Sequence, residues 1–172
     1  MKRRHLLTLT AISAAAAVPL FGSRPPVAYA MKDKPQLDQH PDSVEPFALG
    51  GAEWKMRLDE EAYYVLRKEG TERPYTSELN DEKREGEFVC AGCNLALFES
   101  EKKFDSGTGW PSFWQPIELH IETKRDFKLI LPRTEYHCAR CGGHQGHIFK
   151  DGPKPTGLRY CNNGVALKFV PT

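Results

Sequence analysis

The sequence has little net charge and no long apolar run. It contains 24 basic and 23 acidic residues in 172 positions, and four of the basic residues lie within 1–30, where there is no acidic residue. Residues 31–172 are therefore slightly acidic, which argues against a nucleic-acid partner because binding a phosphate backbone needs a basic surface. There is no internal repeat, which excludes solenoid folds. With 40% hydrophobic residues, the length predicts one soluble globular domain.

The longest apolar run, residues 6–21, lies near the amino terminus and is short for a stable membrane span. It follows three basic residues at 2–4 and precedes Ala-Tyr-Ala at 28–30, in which Ala28 and Ala30 are small residues at the positions that suit a signal peptidase. We expect residues 1–30 to be an export signal that is cleaved, which would leave no stable membrane insertion. An uncleaved anchor is the alternative.

The adjacent Arg3 and Arg4, followed by His-Leu-Leu, are typical of a twin-arginine signal, although an ordinary Sec signal also begins with basic residues. Either route predicts the periplasm or an equivalent extracytoplasmic space. Residues 31–53 are rich in proline, glycine and polar residues and predict a flexible linker. The folded domain is expected over residues 54–172.

Beyond the linker, the pattern predicts few helices and many short strands. Asp59 is a candidate cap for a helix that reaches Lys68 and ends at Gly70, and a second short helix at 77–83 has a weaker signal. Short extended segments separated by turn residues follow, at 88–89, 95–98, 117–121, 127–131, 135–137, 147–149, 157–161 and 165–170. This order predicts a mainly β fold of antiparallel sheets with peripheral amino-terminal helices.

Four of only five cysteines form two CxxC pairs: Cys90 with Cys93, and Cys138 with Cys141. Two tight turns that each supply two thiolates suit tetrahedral Zn²⁺, so we expect one closed structural zinc site. Two disulfides and a redox CxxC pair are the alternatives. A disulfide within a CxxC closes too small a loop to stabilise much. Neither pair lies at a strand-to-helix step of a βαβ pattern, where redox pairs occur.

The fifth cysteine, Cys161, is left over, and a spare thiol in an exported chain needs an explanation. Arg159, His144 and His147 could lower its pKa if the fold brings them close, which would make Cys161 a candidate nucleophile. The two histidines lie in the glycine-rich segment 142–147, directly after a metal turn. The alternatives are a buried structural cysteine and ordinary core or surface histidines.

Residues 109–114 read Gly-Trp-Pro-Ser-Phe-Trp. The rings of Trp110 and Phe113 could line a pocket for an apolar group such as a methyl thioether. A plain aromatic core cluster is an equally good interpretation of these residues by themselves.

Taken together, these segments resemble the peptide methionine-(R)-sulfoxide reductases of the B type. The resemblance extends from 54 to 169 and rests on CAGC, KFDSGTGWPSFW, YHCARCGGHQGHIF and DGPKPTGLRYC, in that order. It implies two antiparallel sheets with peripheral helices and one zinc ion bound by four cysteines. It also implies that oxidised proteins or peptides are the substrates.

The resemblance implies a role for each matching position. Cys161 would attack the sulfoxide sulfur and become a sulfenic acid. His144, His147 and Asn163 match positions that hydrogen-bond the sulfoxide oxygen or nearby water. Trp110 matches the residue that contacts the ε-methyl group of the substrate, with Phe113 close by. Arg159 matches a position near the thiolate, and Asp151 matches one that orients a histidine or arginine.

The chain departs from many of these reductases at Thr108, where they carry a resolving cysteine. With the other four cysteines assigned to zinc, no thiol remains to form a disulfide with Cys161. We therefore expect an external reductant, either a thioredoxin-like protein or a small thiol. Asn162 stands where relatives usually have an apolar residue, and we expect its side-chain direction to matter little. We expect a monomer. The competing hypothesis is a zinc-stabilised binding module without chemistry, in which Cys161 is structural.

Overall fold

The computed structural model describes residues 44–127 and 132–172. This part of the chain has two α-helices and nine β-strands, in the order α1 (Gly51–Arg57), α2 (Glu60–Lys68), β1 (Gly86–Cys90), β2 (Ala96–Glu99), β3 (Lys103–Phe104), β4 (Ser112–Phe113), β5 (Ile121–Asp126), β6 (Arg133–Cys138), β7 (His144–Phe149), β8 (Arg159–Asn162) and β9 (Leu167–Pro171). Single 3₁₀ turns lie at Glu78–Asn80, Ser100–Lys102 and Gly164–Ala166. The predicted export signal, most of the linker and most of the predicted strand at 127–131 fall outside the described residues.

The strands form two antiparallel sheets, which confirms the predicted fold class. The smaller sheet has the order β2-β1-β9, and the larger has β3-β4-β8-β7-β6-β5. In the middle of the larger sheet, His147 pairs with Cys161 and Gly146 pairs with Asn162. Because paired residues of an antiparallel sheet project from the same face, His147 and Cys161 share one face and Asn162 lies on the other.

Helix α2 begins and ends where the sequence indicates. The Asp59 carboxylate accepts a hydrogen bond from the Ala62 backbone N–H at 2.7 Å, which caps the first turn. The helix ends at Glu69, which adopts the left-handed conformation with φ of 54°, one residue before Gly70. No helix among the described residues is both long and apolar enough to cross a membrane.

Residues 44–53 are ordered against the domain, whereas they were predicted to belong to a flexible linker. Helix α1 begins at Gly51, and the Phe47 N–H donates to the Arg140 carbonyl at 2.7 Å. The Phe47 ring meets the buried Trp54 ring edge-on, with centroids 5.8 Å apart. Proline and glycine weaken local helix and strand signals, but the hydrogen bond to Arg140, distant in sequence, and the packing on Trp54 hold the segment against the domain.

Several strands differ from the pattern-based assignment. The segment at 117–120 contains a turn in which Leu119 has φ of 64°, and β5, which begins at Ile121, is exposed and polar over residues 122–125. The first two residues of the predicted strand at 165–170 lie in a 3₁₀ turn, and the last four belong to β9. Strands β3 and β4 have two residues each, too few for a periodic signal. The predicted helix at 77–83 is a single 3₁₀ turn.

The core lies where the two sheets meet. Phe88 and Phe98 from the small sheet contact Phe113 from the large one, and all three side chains are fully buried. The Phe98 and Phe113 rings stack with centroids 4.1 Å apart and an interplanar angle of 9°. Large aromatic rings bury much apolar area, so this contact is a main source of sheet-to-sheet cohesion.

Candidate metal centre and active site

The four CxxC cysteines form one buried cluster. Cys90 and Cys138 end strands β1 and β6, and the turn after each strand brings Cys93 and Cys141 back toward them. The sulfur atoms of Cys90 and Cys141 are 3.7 Å apart, those of Cys93 and Cys138 are 3.5 Å apart, and all four lie within 4.8 Å of one another. A tetrahedral zinc ion with Zn–S bonds near 2.3 Å requires sulfur separations of about 3.8 Å. The cluster therefore fits zinc, whereas a disulfide would need about 2.05 Å.

The thiols of the cluster affect each other's ionisation. Hydrogen bonding with the neighbouring thiols, together with burial, raises the pKa of Cys90 and Cys138, while hydrogen bonds from the other thiols lower the pKa of Cys141. One thiolate is thus favoured and further ones are opposed. A bound dication removes this conflict, because its charge stabilises all four sulfurs as thiolates.

The two amino-terminal helices hold the two metal turns. Arg57 from α1 donates to the Gly92 carbonyl at 2.6 Å, inside the first CxxC turn. Arg67 from α2 donates to the Cys141 carbonyl at 2.9 Å, at the end of the second. Glycine allows the second turn to close, since Gly142 adopts φ of 65°. The two helices thus contact both turns of the four-cysteine cluster.

Cys161 lies on β8 between β4 and β7, opposite Ser112 on one side and His147 on the other. Its thiol is partly buried, and burial raises its pKa, opposed by the charge of Arg159 and by hydrogen bonds from Thr108 and Arg159. The net shift is upward, so the predicted lowering by Arg159 is present but smaller than desolvation.

Arg159 is held next to Cys161 by Asp151. The guanidinium donates twice to the carboxylate, Nε to Oδ1 and Nη2 to Oδ2, both at 2.9 Å. A bidentate pair of this kind fixes the guanidinium plane as well as its position. Asp151 therefore orients an arginine, which is one of the two roles that the resemblance implied.

Each site histidine has a carboxylate neighbour. His147 Nε2 lies 2.7 Å from Asp126 Oδ2, and His144 Nδ1 lies 2.8 Å from Glu135 Oε1 in a contact whose angle is poor for a hydrogen bond. The two imidazole centroids are 5.5 Å apart. Burial lowers the pKa of both histidines, against the opposite pull of these carboxylates. Both rings are therefore mainly neutral at pH 7, each beside an acid that would stabilise its protonated form.

The two acids were not found by the sequence reasoning. Asp126 ends β5 and also accepts from Arg133 at 2.7 Å, while Glu135 lies in the middle of β6 opposite His147. Both belong to segments that read as polar strand edges. Only the pairing of β5, β6 and β7 brings them to the histidines, so no local signal could have identified them.

Glu72 is a second residue that sequence reasoning missed. Its buried carboxylate accepts from the backbone N–H groups of Gly164 at 2.5 Å and Val165 at 2.9 Å. Its own backbone N–H donates to Asn163 Oδ1 at 3.1 Å, and its carbonyl accepts from Trp110 Nε1 at 3.3 Å. The loop at residue 72 thereby positions two of the predicted site residues.

Two predicted roles need correction. Phe113 is fully buried and stacked in the core, so it supports the site from beneath and does not line its surface. Asn162 is also fully buried, and its side chain makes hydrogen bonds to Tyr136, Gln145 and the Asn163 carbonyl. The expectation that its side-chain direction matters little is wrong, because a buried amide needs partners.

A comparison with family models matches the SelR domain over residues 58–171, a range that contains both metal turns and the strand of Cys161. The chain belongs to the SelR family. This membership confirms the resemblance drawn from the motifs.

Named relatives of this SelR chain share its sequence over most of their length. A Bradyrhizobium diazoefficiens "Peptide methionine sulfoxide reductase MsrB" is 53% identical over 120 residues, which cover 69% of this chain and 86% of that protein. The Pseudomonas putida (strain W619) protein of the same name is 56% identical over 121 residues, covering 69% and 90%. The Arabidopsis thaliana "Peptide methionine sulfoxide reductase B1, chloroplastic" is 49% identical over 136 residues, covering 78% and 67%.

Proposed function

We propose that this chain reduces methionine-(R)-sulfoxide in peptides or proteins, with Cys161 as the nucleophile. The observation that carries the proposal is the pairing of Cys161 with His147 across β8 and β7, in a chain whose relatives are named peptide methionine sulfoxide reductases. A thiol and an imidazole on one face of a sheet can act on the same group of a substrate.

In the proposed reaction the sulfoxide S–O bond breaks and Cys161 gains the oxygen. The Cys161 thiolate attacks the sulfoxide sulfur, the sulfoxide oxygen takes up a proton, and the thioether leaves as methionine. Cys161 becomes a sulfenic acid, so its sulfur loses the two electrons that the substrate sulfur gains. The proton is essential because a sulfoxide is a poor electrophile until its oxygen is protonated.

The neighbouring groups have separable tasks in this mechanism. His147, beside Asp126, and His144, beside Glu135, hold and deliver the proton, because each carboxylate stabilises an imidazolium as it forms. Arg159, fixed by Asp151, stabilises the thiolate. Trp110 supplies an apolar wall for the substrate's methyl group, and Asn163 fixes the end of β8 through its hydrogen bonds to Glu72 and Gln145.

The four clustered cysteines would hold one structural zinc ion, which would cross-link the turns after β1 and β6. All four ligand atoms are buried cysteine sulfurs, and such a closed set leaves no position for substrate. Loss of the metal should therefore act on folding and on the position of the site, not on a chemical step.

An external thiol would complete the cycle. Two equivalents of thiol convert the sulfenic acid to a thiol, with water and a disulfide as products. Thr108 contacts Cys161 where a resolving cysteine would lie, and the other four cysteines belong to the metal cluster. A thioredoxin-like protein or a small thiol would serve. Export through the signal at 1–30 would place a monomeric enzyme in the periplasm, acting on oxidised exported proteins.

The test is an epimer-resolved assay. Metal-loaded protein is incubated with a peptide that contains both sulfoxide epimers and with dithiothreitol, and each epimer is followed by chromatography. We expect only the R epimer to be consumed, and Cys161→Ser to be inactive while it keeps the parent's metal content and melting temperature. Turnover by Cys161→Ser at the parent rate would show that the nucleophile is wrong.

The recycling step has a separate test in Thr108→Cys. After one turnover without reductant, the parent should carry a sulfenic acid that dimedone traps on Cys161. Thr108→Cys should instead form an intramolecular disulfide and lose the dimedone adduct. A disulfide in the parent would contradict recycling by an external thiol, because it would require a cysteine of the metal cluster.

The raised pKa of Cys161 favours one competing function, a metal-stabilised binding module with an inert thiol. Alkylation distinguishes the two. An enzyme should show rapid and selective alkylation of Cys161 by iodoacetamide near neutral pH, in comparison with a free cysteine model. A binding module should show slow alkylation of Cys161 and no sulfoxide turnover.

A further inference from the structure

A chain of polar side chains lies behind the reactive strand, inside the core. Tyr136, Gln145 and Asn162 have polar side chains with no solvent exposure. Burying an amide is unfavourable unless its hydrogen bonds are made. Three such groups in contact therefore point to a specific task.

The three groups are joined by directed hydrogen bonds. The Tyr136 hydroxyl donates to Asn162 Oδ1 at 2.6 Å, Asn162 Nδ2 donates to Gln145 Oε1 at 3.3 Å, and Gln145 Nε2 donates to Cys90 Sγ at 3.4 Å. Asn162 and Gln145 each accept through the amide oxygen and donate through the amide nitrogen, while Tyr136 only donates. The Tyr136 phenol has a single proton and donates it to Asn162, which sets the direction of the hydrogen bonds. The last of them ends on the sulfur of Cys90.

This arrangement connects the two sites of the protein. Asn162 directly follows Cys161 on β8, and successive residues of a strand project to opposite faces. Cys161 therefore faces the histidines, while Asn162 faces the interior that contains Cys90. The larger sheet has the reactive thiol on one face and, on the other, a hydrogen-bonded path to the metal ligands.

We propose that Gln145 is a positioning residue for the metal centre, donating to the Cys90 thiolate while Asn162 and Tyr136 hold its amide in the required orientation. A hydrogen bond to a thiolate is charge-assisted and lowers the free energy of the charged sulfur. Asn162 prevents the Gln145 amide from turning its oxygen toward the sulfur, where two acceptors would repel. Partners of metal ligands are a recognised determinant of metal retention.

The inference rests on the metal binding proposed above, and the first measurement separates the two. Parent protein is analysed for zinc after purification and after reconstitution. A zinc-to-chain ratio far below one, even after reconstitution, would refute metal binding itself. With one zinc per chain, the rate of zinc transfer to a chromogenic chelator is then compared among the parent, Gln145→Leu and Asn162→Leu, which replace each amide by an apolar side chain of similar size.

We expect both variants to release zinc about tenfold faster than the parent or more, because loss of such a partner typically lowers metal affinity about 10–100-fold. The double variant should be no faster than Gln145→Leu, because Asn162 acts only through Gln145. Tyr136→Phe, which removes one hydroxyl and little volume, should give a smaller increase and provides a result even if a leucine variant folds poorly.

A matched control separates this role from general loss of stability. Phe169→Ala removes a partly buried ring on β9, outside the path, and should lower the melting temperature while zinc release stays at the parent rate. In cobalt-loaded protein, Gln145→Leu should move the sulfur-to-metal charge-transfer band to longer wavelength, since the thiolate loses a donor. Release rates that follow melting temperature across all variants, or an unmoved band, would overturn the proposal.

Discussion

Removing the carboxylate of Glu72 should destabilise the fold and weaken catalysis together. Glu72 is 8% exposed, and its carboxylate accepts from two backbone N–H groups at the start of the turn that follows β8. In Glu72→Ala both donors lose their acceptor. A buried donor without a partner costs about 1–3 kcal/mol. Val165 is only partly buried, so water can replace part of its bond, and we expect a total loss of about 2–4 kcal/mol.

Glu72→Gln is a finer test of the same contact. The amide oxygen can still accept from one N–H, but the amide nitrogen cannot accept from the other, so we expect a loss of about 1–2 kcal/mol. Burial raises the pKa of Glu72, opposed by the two backbone hydrogen bonds. Losing the charge relieves some desolvation in both variants, but only Glu72→Gln keeps one acceptor, so its loss of stability should stay below that in Glu72→Ala.

The assay is urea unfolding of metal-loaded protein, followed by circular dichroism, with melting curves in parallel. Each kcal/mol should lower the melting temperature by about 3–5 °C in a domain of this size. The control is Glu118→Ala, which removes an exposed carboxylate and should change stability by less than about 0.5 kcal/mol. The ratio kcat/KM should also fall in Glu72→Ala, because the same loop holds Asn163 and Trp110.

A loss in Glu72→Ala no larger than that in Glu118→Ala would refute the reasoning. It would mean that the two N–H groups find other acceptors at no cost. The expected loss of stability with an unchanged kcat/KM would refute only the predicted effect on catalysis. It would show that the loop does not need its carboxylate to position the site.

Three further predictions concern the reactive strand. Gly146→Ala should fold poorly or lose most activity, because a Cβ there would lie 1.9 Å from the Cys161 carbonyl oxygen; Gly51→Ala, with open space around it, is the control in the same activity and melting assays. Arg159→Leu should raise the pKa of Cys161 further and slow its alkylation by iodoacetamide across pH 6–9, and an unchanged profile would contradict the charge contact. Burial lowers the pKa of His147 from 6.5. Its contribution to stability is therefore complete above pH 6.5 and is lost as the pH falls from 6.5 through the folded pKa. The acid-induced loss of stability, measured by urea unfolding, should be smaller in His147→Gln.

Local patterns were sufficient wherever the chemistry lies within one turn. The paired CxxC spacing predicted a four-cysteine site, and the structure brings the four sulfurs within 4.8 Å of one another. Asp59 predicted the start of α2, because a capping interaction involves neighbours only three residues apart. Order in residues 44–53 was missed for the opposite reason, since Phe47 is held by Arg140, far away in sequence.

The partners of the site residues could not be read in the same way. Asp126 and Glu135 look like solvent-facing strand acids until β5, β6 and β7 pair, and Glu72 lies in a polar loop more than ninety residues from the N–H groups it binds. Asn162 was misjudged because the alternation of side chains along a strand predicts which face of the sheet a residue lies on, but not which residues pack against that face. Its partner Gln145 is supplied by the neighbouring strand.

The sequence by itself therefore determined the reactive groups: which cysteines pair, which one is left over, and which family the motifs resemble. These are properties of residue type and spacing, and short-range covalent geometry preserves them. The tertiary structure alone decided what surrounds each group. Strand pairing placed the carboxylates beside the histidines, desolvation outweighed Arg159 at Cys161, and the interior gave Gln145 a thiol to bind, because burial and contacts distant in sequence exist only after the sheets have formed.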